Sequence, residues 1–263
     1  INISAAYPNY SWNMAYALNL TFNANTSTIN MTGSNAYFYT SNASGTAQAF
    51  NIINFTGSGT PLIDLFYSTA TVATLTRTGT AVKTDAFTIR NSLTITGTLS
   101  LAGNSATNRL LVYSDTLGTA RTITVTGANL TGTNNVDFQD ITFADNKVGN
   151  TDLTNGGANS IGDCGGNSRT LGTGNLVMTT AAAQTWTNAA GGNWSTAANW
   201  TSRVPLPQDD VNMAVAGGYN TGVTVTADMP RLGKSIDWTG ATHAGTKPTW
   251  TLLAGDNYSY GNM

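Results

Sequence analysis

One short pattern recurs along the chain: an aliphatic residue, a small polar residue, a variable residue, then Thr-Gly. It stands as INMTG (29–33), INFTG (53–57), LTRTG (75–79), LTITG (93–97), ITVTG (123–127) and IDWTG (236–240). The first five copies start 24, 22, 18 and 30 residues apart. An irregular period in this range belongs to stacked-repeat architectures, in which loops absorb differences in length. Within each copy, alternate positions of an extended chain point to opposite sides. Position one is always Ile or Leu, so one side is apolar, and the other side carries Thr and Asn. The closing glycine predicts a corner with positive φ at the end of each strand. Arg77, third in its copy, breaks the pattern as a rung end or a bulge would.

The segments RTITVTGANL, NVDFQDITFAD, GVTVTADM and PTWTLLAGDNYSYGN follow the same grammar, and helical periodicity is confined to MAYALNL (14–20). Short strands, polar turns and an irregular repeat predict an all-β chain folded as a right-handed parallel β-helix. Rows of Thr and Asn suit it, because successive rungs place like side chains about 4.8 Å apart. At about 23 residues per turn, the length gives roughly eleven rungs. Tandem β-sandwiches are the alternative, since they use the same alternation. A first β-helical segment is expected over 1–184, and a second over 185–263, opening on a motif of Trp, Pro and paired Asp. The last residues, YSYGNM, stop in mid-pattern without a polar cap. That predicts either flanking repeats of a longer chain or self-association, with head-to-tail stacking giving an open filament.

The surface chemistry is unusual. Only 9% of residues are charged, with 11 Lys and Arg against 13 acids. An ordinary globular chain has roughly 25%. No basic run exists, which argues against nucleic acid as a partner. An apolar fraction of 40% argues against a solvated, disordered chain. No apolar run approaches the roughly 18 residues of a membrane span, so no membrane insertion is expected. The single cysteine, Cys164, makes no internal disulfide, and no Cys/His cluster offers a zinc site. No cofactor is expected. The chain starts at Ile1 with no secretory n-region or h-region, as a processed chain or a fragment would. Asn-X-Ser/Thr triplets, such as those at Asn2, Asn54 and Asn193, are what so much Asn, Ser and Thr produces by chance.

Three stretches carry residues that suggest chemistry. GDCGGNS (162–168) resembles the Gly-Asp-Ser-Gly-Gly signature of chymotrypsin-like proteases, with Cys164 in the nucleophile's place. A thiolate nucleophile needs a base. The only histidine, His243, follows it in the surface-turn sequence GATHAGT, whereas that family's histidine precedes the nucleophile. A Gly-rich loop with an incidental cysteine is the simpler reading. Asp209 and Asp210 are an obvious carboxylate pair, but neighbours on a strand face opposite ways and cannot work as acid and base. PLPQDD is better suited to a structural turn. Other acids are scattered, among them Asp64, Asp85, Asp115, Asp137, Asp140, Asp145 and Asp163. A β-helix can align acids from successive rungs, as pectate lyases and phage tailspikes do. Few acids are available here, so isolated turn and cap carboxylates are expected.

Trp186, Trp194 and Trp200 lie eight and six residues apart. Either their rings form a platform that contacts carbohydrate, or they fill the join between two solenoid segments. The join is favoured, because NAAGG interrupts any continuous strand. TWTNAAGGNWSTAANWTSRVPLPQDDVNMAV, followed by VTVTADMPRLGKSIDWTGA, resembles the opening of β-helical repeats in bacterial autotransporter passengers and adhesins. Similar segments occur in phage tail-fibre proteins. The resemblance covers about 185–240 and is more specific for architecture than for role. It implies a non-catalytic, structural or adhesive segment of an extracellular fibre, on a cell surface or a virion, with surface glycans as candidate partners. The autotransporter layout also leads one to expect a translocating barrel and a signal segment, and residues 1–263 match neither. The competing expectations are a β-helical polysaccharide hydrolase or lyase of tailspike type, with acids aligned on one sheet, and a carbohydrate-binding module built on Trp194 and Trp200.

Overall fold

A computed structural model describes residues 1–5, 11–14, 22–41, 48–66, 70–126, 129–130, 134–145, 161–171, 178–252 and 257–261. The chain forms two compact units. One comprises Ile1–Ile161 and Gly165–Met178, the other Gly162–Cys164 and Thr179–Met263. The second unit's main segment thus starts at Thr179, a few residues ahead of the expected boundary at 185. In the segment with helical periodicity, Met14 closes the strand Trp12–Met14, and 15–20 lie outside the described residues.

The first unit is a parallel β-solenoid. One sheet stacks Asn2–Ile3, Thr28–Met31, Ala49–Phe55, Thr71–Thr78, Leu93–Ala102, Arg121–Val125, Ile141–Asp145 and Ser168–Leu171, in chain order and about one turn apart. A second sheet stacks Trp12–Met14, Tyr37–Ser41, Leu62–Phe66, Ala86–Ile89, Leu110–Ser114 and Val136–Gln139, each following a strand of the first sheet in the chain. The chain therefore alternates between the two sheets as it climbs. The solenoid has about eight turns, slightly fewer than the roughly eleven expected for the whole chain. Every pairing between these strands is parallel. That excludes β-sandwiches, whose sheets are antiparallel. In the second unit the strands are shorter. Gln184–Thr185, Asp210–Asn212 and Ser235–Asp237 stack in one parallel sheet, and Gly192–Asn193, Thr224–Ala227 and Thr249–Leu252 in another. No helix among the described residues is long and apolar enough to cross a membrane.

The Thr-Gly repeat marks only the first of the two large sheets, and its register is more regular than its spacing. Ile29 lies over Ile53, Ile53 over Leu75, and Leu75 over Leu99. The 18-residue step arises because Leu93–Ala102 is a double-length strand, 10 residues long. Its first half, LTITG, pairs onward with Ile123–Val125, while Leu99–Ala102 pairs back with LTRTG. Inward side chains form the core. Ile29, Met31, Ile53, Phe55, Leu75 and Leu99 from one sheet meet Phe38, Ile63, Leu65, Phe87, Val112 and Phe138 from the other, all at most 1% exposed. Each such side chain contributes about 1.5–3 kcal/mol by leaving water. On the outer side of the same strands, Asn2, Asn30 and Asn54 stack as an amide ladder. Asn30 Nδ2 donates to Asn2 Oδ1 at 2.8 Å, and Asn54 Nδ2 donates to Asn30 Oδ1 at 3.0 Å. Thr76 and Ser100 extend that column.

Two expectations are corrected. The repeat's glycine does not supply positive φ in the first unit: Gly33, Gly57, Gly79 and Gly97 all lie outside that region. Its role is close approach. A Cβ on Gly57 would overlap the Gly33 carbonyl, and one on Gly33 would overlap the Ala5 carbonyl. Left-handed corners fall instead to Asn25, Asn35, Asn135 and Asp140, at φ 42°, 54°, 55° and 53°, and to glycines outside the repeat such as Gly59 and Gly118. Asn and Asp tolerate that region best among residues with a side chain. Gly240, in the second unit, does take φ 81° as expected. Arg77, for its part, is no rung end. It stands in register between Phe55 and Leu101 and points into the core, fully buried.

Short polar side chains at the corners tie each turn to the next. Asp85 accepts a hydrogen bond from Gly59 N at 2.7 Å, Asp140 from Gly118 N at 2.8 Å, and Asn35 Oδ1 from Thr60 N at 2.6 Å. In the second unit, Asp209 accepts from Ala182 N and Asp228 from Ser195 N, both at 2.8 Å. These bonds satisfy corner amides that no strand can pair. Substituting Gly57→Ala should lower unfolding free energy by about 1–3 kcal/mol, the usual cost of forcing an extra carbon into a packed site. Urea unfolding followed by circular dichroism would read this as a lower midpoint.

Candidate functional site

The residues singled out in the sequence divide into structural supports and one surface cluster. Trp186, Trp194 and Trp200 are supports: they are 0%, 0% and 5% exposed. Their rings pack on one another, with centroids of Trp186 and Trp200 at 5.0 Å and of Trp194 and Trp200 at 4.6 Å, both edge to face. Trp250 stacks on Trp194 at 6.2 Å. Trp186 Nε1 donates to Asn188 O at 2.7 Å, and Trp200 Nε1 to Trp194 O at 2.8 Å. Asn188 and Asn199 hold the loop between them, with Asn188 Nδ2 on Asn199 Oδ1 at 2.9 Å and Asn199 Nδ2 on Asn193 O at 2.9 Å. A sugar needs an open ring face, and these faces are covered. The expectation of carbohydrate contact at these three residues is corrected accordingly: the GGNWSTAANW motif builds the core of the second unit.

The paired aspartates face opposite ways. Asp209 is fully buried; it accepts from Arg203 Nη2 at 2.6 Å, Arg203 Nε at 2.9 Å and Leu206 N at 2.9 Å, which closes the Pro turn. Asp210 is exposed and accepts from Ser235 Oγ. Cys164 is buried, whereas His243 is exposed and bridged through its backbone to Tyr219. The Asp163 backbone N–H donates to Gln208 Oε1 at 2.9 Å. Asp137 and Asp140 serve structure as well. Asp137 is paired with the buried Arg109 at 2.7 Å, and Asp140 caps a corner. The Asp145 side chain lies outside the described residues. Among the described residues no group of three or more His, Cys, Asp or Glu is arranged to hold a metal ion.

Two arginines lie inside the first unit. Arg109 is well compensated, since its Nη2 also donates to Val136 O at 3.0 Å. Arg77 is less so. Asp85 stands 3.7 Å from Nη2, Nη1 donates to Thr78 O, and Nε has no hydrogen-bond partner. Burial lowers the Arg77 guanidinium to about 10, with Asp85 opposing the shift. The cation is held in place at a cost, and its carboxylate partner limits that cost.

The surface cluster lies on the outer face of the second large sheet. Tyr39 pairs in register with Asp64. Arg90 follows Ile89, which pairs with Ile63 below and Ser114 above, so Asp64, Arg90 and Asp115 occupy successive turns. Backbone bonds from Arg90 N to Ile63 O at 3.1 Å and from Asp115 N to Ile89 O at 3.0 Å set this column. Arg90 Nη1 lies 3.8 Å from Asp64, and Arg90 Nε 3.5 Å from Asp115. Asp115 also accepts two bonds from Arg121, at 2.7 Å and 2.9 Å. Tyr37 Oη donates to Asp64 at 3.0 Å and accepts from Arg90 Nη1 at 2.6 Å, while Asn91 Nδ2 donates to Asp64 at 2.6 Å. The Arg90 guanidinium sits 5.4 Å from the centre of the Tyr37 ring. Tyr39 and Phe66 continue the patch, with ring centres 6.4 Å apart. Phe66 is 39% exposed and the Arg90 side chain 43%. The cluster was invisible to motif reading, because Tyr37, Tyr39, Asp64 and Phe66 come from strands without the Thr-Gly pattern, Arg90 and Asp115 follow such strands, and all of these meet only through the register.

The two outer faces of the first unit therefore differ in kind. One carries a column of amides and hydroxyls, and the other aromatic rings with alternating charge. No protein family, curated protein or solved structure matches the chain.

Replacing Asp85 by Ala would strip Arg77 of its carboxylate and two corner amides of their acceptor. The expected loss is about 3–5 kcal/mol, typical of a buried charge left unpaired. Arg77→Met should cost far less or stabilise. Paired urea titrations of the two variants would show the asymmetry.

Proposed function

We propose that this chain is a non-catalytic structural and adhesive segment of an extracellular fibre, of the kind found on bacterial surfaces and virions. The observation that supports this best is the use the fold makes of its few charges. Asp85, Asp137, Asp140, Asp209 and Asp228 are spent on buried arginines and on corner amides, so they hold turns together. A parallel solenoid stabilised this way is a stiff element whose surface is mostly neutral hydroxyl and amide. Continuous backbone ladders resist bending and extension, which is what a fibre asks of its segments. Flanking repeats of a longer chain, or further copies, would continue the ladders. Surface glycans are the partners this reading provides for.

A polysaccharide hydrolase or lyase is the second reading. It is favoured by one observation, the approach of Asp64 and Asp115 to opposite sides of Arg90. Against it, each carboxylate is already bonded to cationic or hydroxyl donors, the arrangement of an ion-paired ladder.

Electron microscopy of the native particle bearing this chain, labelled with an antibody, tests the proposal. Labelled filaments or appendages are the expected result, with no release of reducing ends from polysaccharides incubated with the purified chain. A soluble, unattached particle would overturn it. So would release of reducing ends that disappears on Asp115→Asn.

A further inference from the structure

We infer that the outer face of the second sheet, around Phe66, Tyr39, Arg90 and Asp115, is a binding surface for a neutral glycan. The inference rests on the adhesive reading and gives that reading a site.

The first argument is contrast within one unit. A solenoid surface that only had to be solvated would repeat the amides and hydroxyls of Asn2, Asn30, Asn54, Thr76 and Ser100 on both faces. The second face instead places a 39% exposed phenylalanine beside a tyrosine and a 43% exposed arginine. In a chain with 9% charged residues, a column of Asp64, Arg90 and Asp115, joined at its upper end by Arg121 from the first sheet, is a marked concentration.

The second argument concerns the ligand's charge. Asp64, Arg90, Asp115 and Arg121 sum to zero, and each charge is neutralised by a neighbour within 4 Å. A phosphate, sulfate or carboxylate ligand would have to displace an aspartate. A cationic ligand would have to displace an arginine. A neutral polyol has to displace neither. It meets planar groups whose donors and acceptors are held at fixed positions by the ladder, the geometry suited to paired hydroxyls.

The third argument is shape. The aromatic rings lie at the edge of the charged column, and ring faces attract the weakly positive C–H faces of a pyranose while excluding water. Successive turns repeat every 4.8 Å or so, close to the length of one sugar ring, so adjacent rungs meet adjacent residues of a glycan chain. The surface is the outer face of a stacked parallel sheet, which suits an extended chain in weak, repeated contact. Many copies along a fibre would then supply avidity.

The test is an array of neutral oligosaccharides printed beside sialylated and sulfated ones, probed with labelled chain. Phe66→Ser, Arg90→Ala and Thr76→Ala are carried in parallel, and thermal melts confirm that each variant folds. Capture on neutral glycans is expected, reduced about tenfold or more by either of the first two substitutions and unchanged by Thr76→Ala on the opposite face. Three outcomes would overturn the inference: no capture on neutral glycans, preferential capture on charged ones, or binding insensitive to both Phe66→Ser and Arg90→Ala. Any of these alongside labelled fibres in the microscope would leave the fibre reading standing as structural support alone. Neutral-glycan capture without fibres would do the reverse.

Discussion

Parallel pairing of each turn with the next is the constraint on which the rest of the first unit depends. A parallel ladder has evenly spaced, slanted hydrogen bonds and no hairpin to set its register. The side chains must therefore set it, and here they do so by stacking like on like. Asn2, Asn30 and Asn54 exchange amide bonds on the outside, while Ile29, Ile53, Leu75 and Leu99 stack within. A slip of one residue would turn every asparagine inward and every isoleucine outward. Gly33 and Gly57 belong to the same constraint, since the backbones of adjacent corners touch where any side chain would hold them apart.

All 13 acids of this chain are aspartates, and the choice has a physical sense. A solenoid corner leaves backbone amides without strand partners, and the nearest acceptor must come from the neighbouring turn. A short carboxylate fixed at a corner reaches those amides with little rotational entropy to lose. Asp85 illustrates the economy: it caps Gly59 in the turn before and also faces the buried Arg77. The same low charge count explains why the Asp64, Arg90 and Asp115 column stands out. Asp64 is buried, but the Arg90 side chain is 43% exposed; an ion pair with so exposed a partner adds little stability, which leaves the place of Arg90 on the surface to be explained by what it meets there.

Much of the fold was legible in the sequence because hydrophobic alternation and the spacing of Thr-Gly are local properties. Five copies of the pattern located strands of one sheet, and the low charge pointed to ladders of neutral side chains. Most of the second sheet was not legible, because strands such as YFYTS and LIDLF share no motif; only Val136–Gln139, within NVDFQDITFAD, followed the alternation read in the sequence. The surface cluster was hidden for the same reason: Tyr39, Asp64, Arg90 and Asp115 are separated by about a turn each and are neighbours only once the register is known. For the tryptophans, spacing alone left open whether they faced out or in. Burial of Trp186 and Trp194 at 0% exposure decides it, with Asn188 and Asn199 closing the loop over them. The glycine role was misread, since a residue without Cβ serves close approach as well as positive φ.

The register itself can be measured by distance. With Cys164 changed to Ser, spin labels at positions 2 and 100 occupy one outer column four turns apart, through Asn30, Asn54 and Thr76. At about 4.8 Å per turn the labelled backbones lie roughly 19 Å apart. Pairs bracketing fewer turns of that column should give proportionally shorter distances. Pulsed electron–electron resonance showing this stepwise scaling is the predicted result. Distances that do not grow with the number of turns would contradict the stacked, in-register solenoid on which the whole account rests.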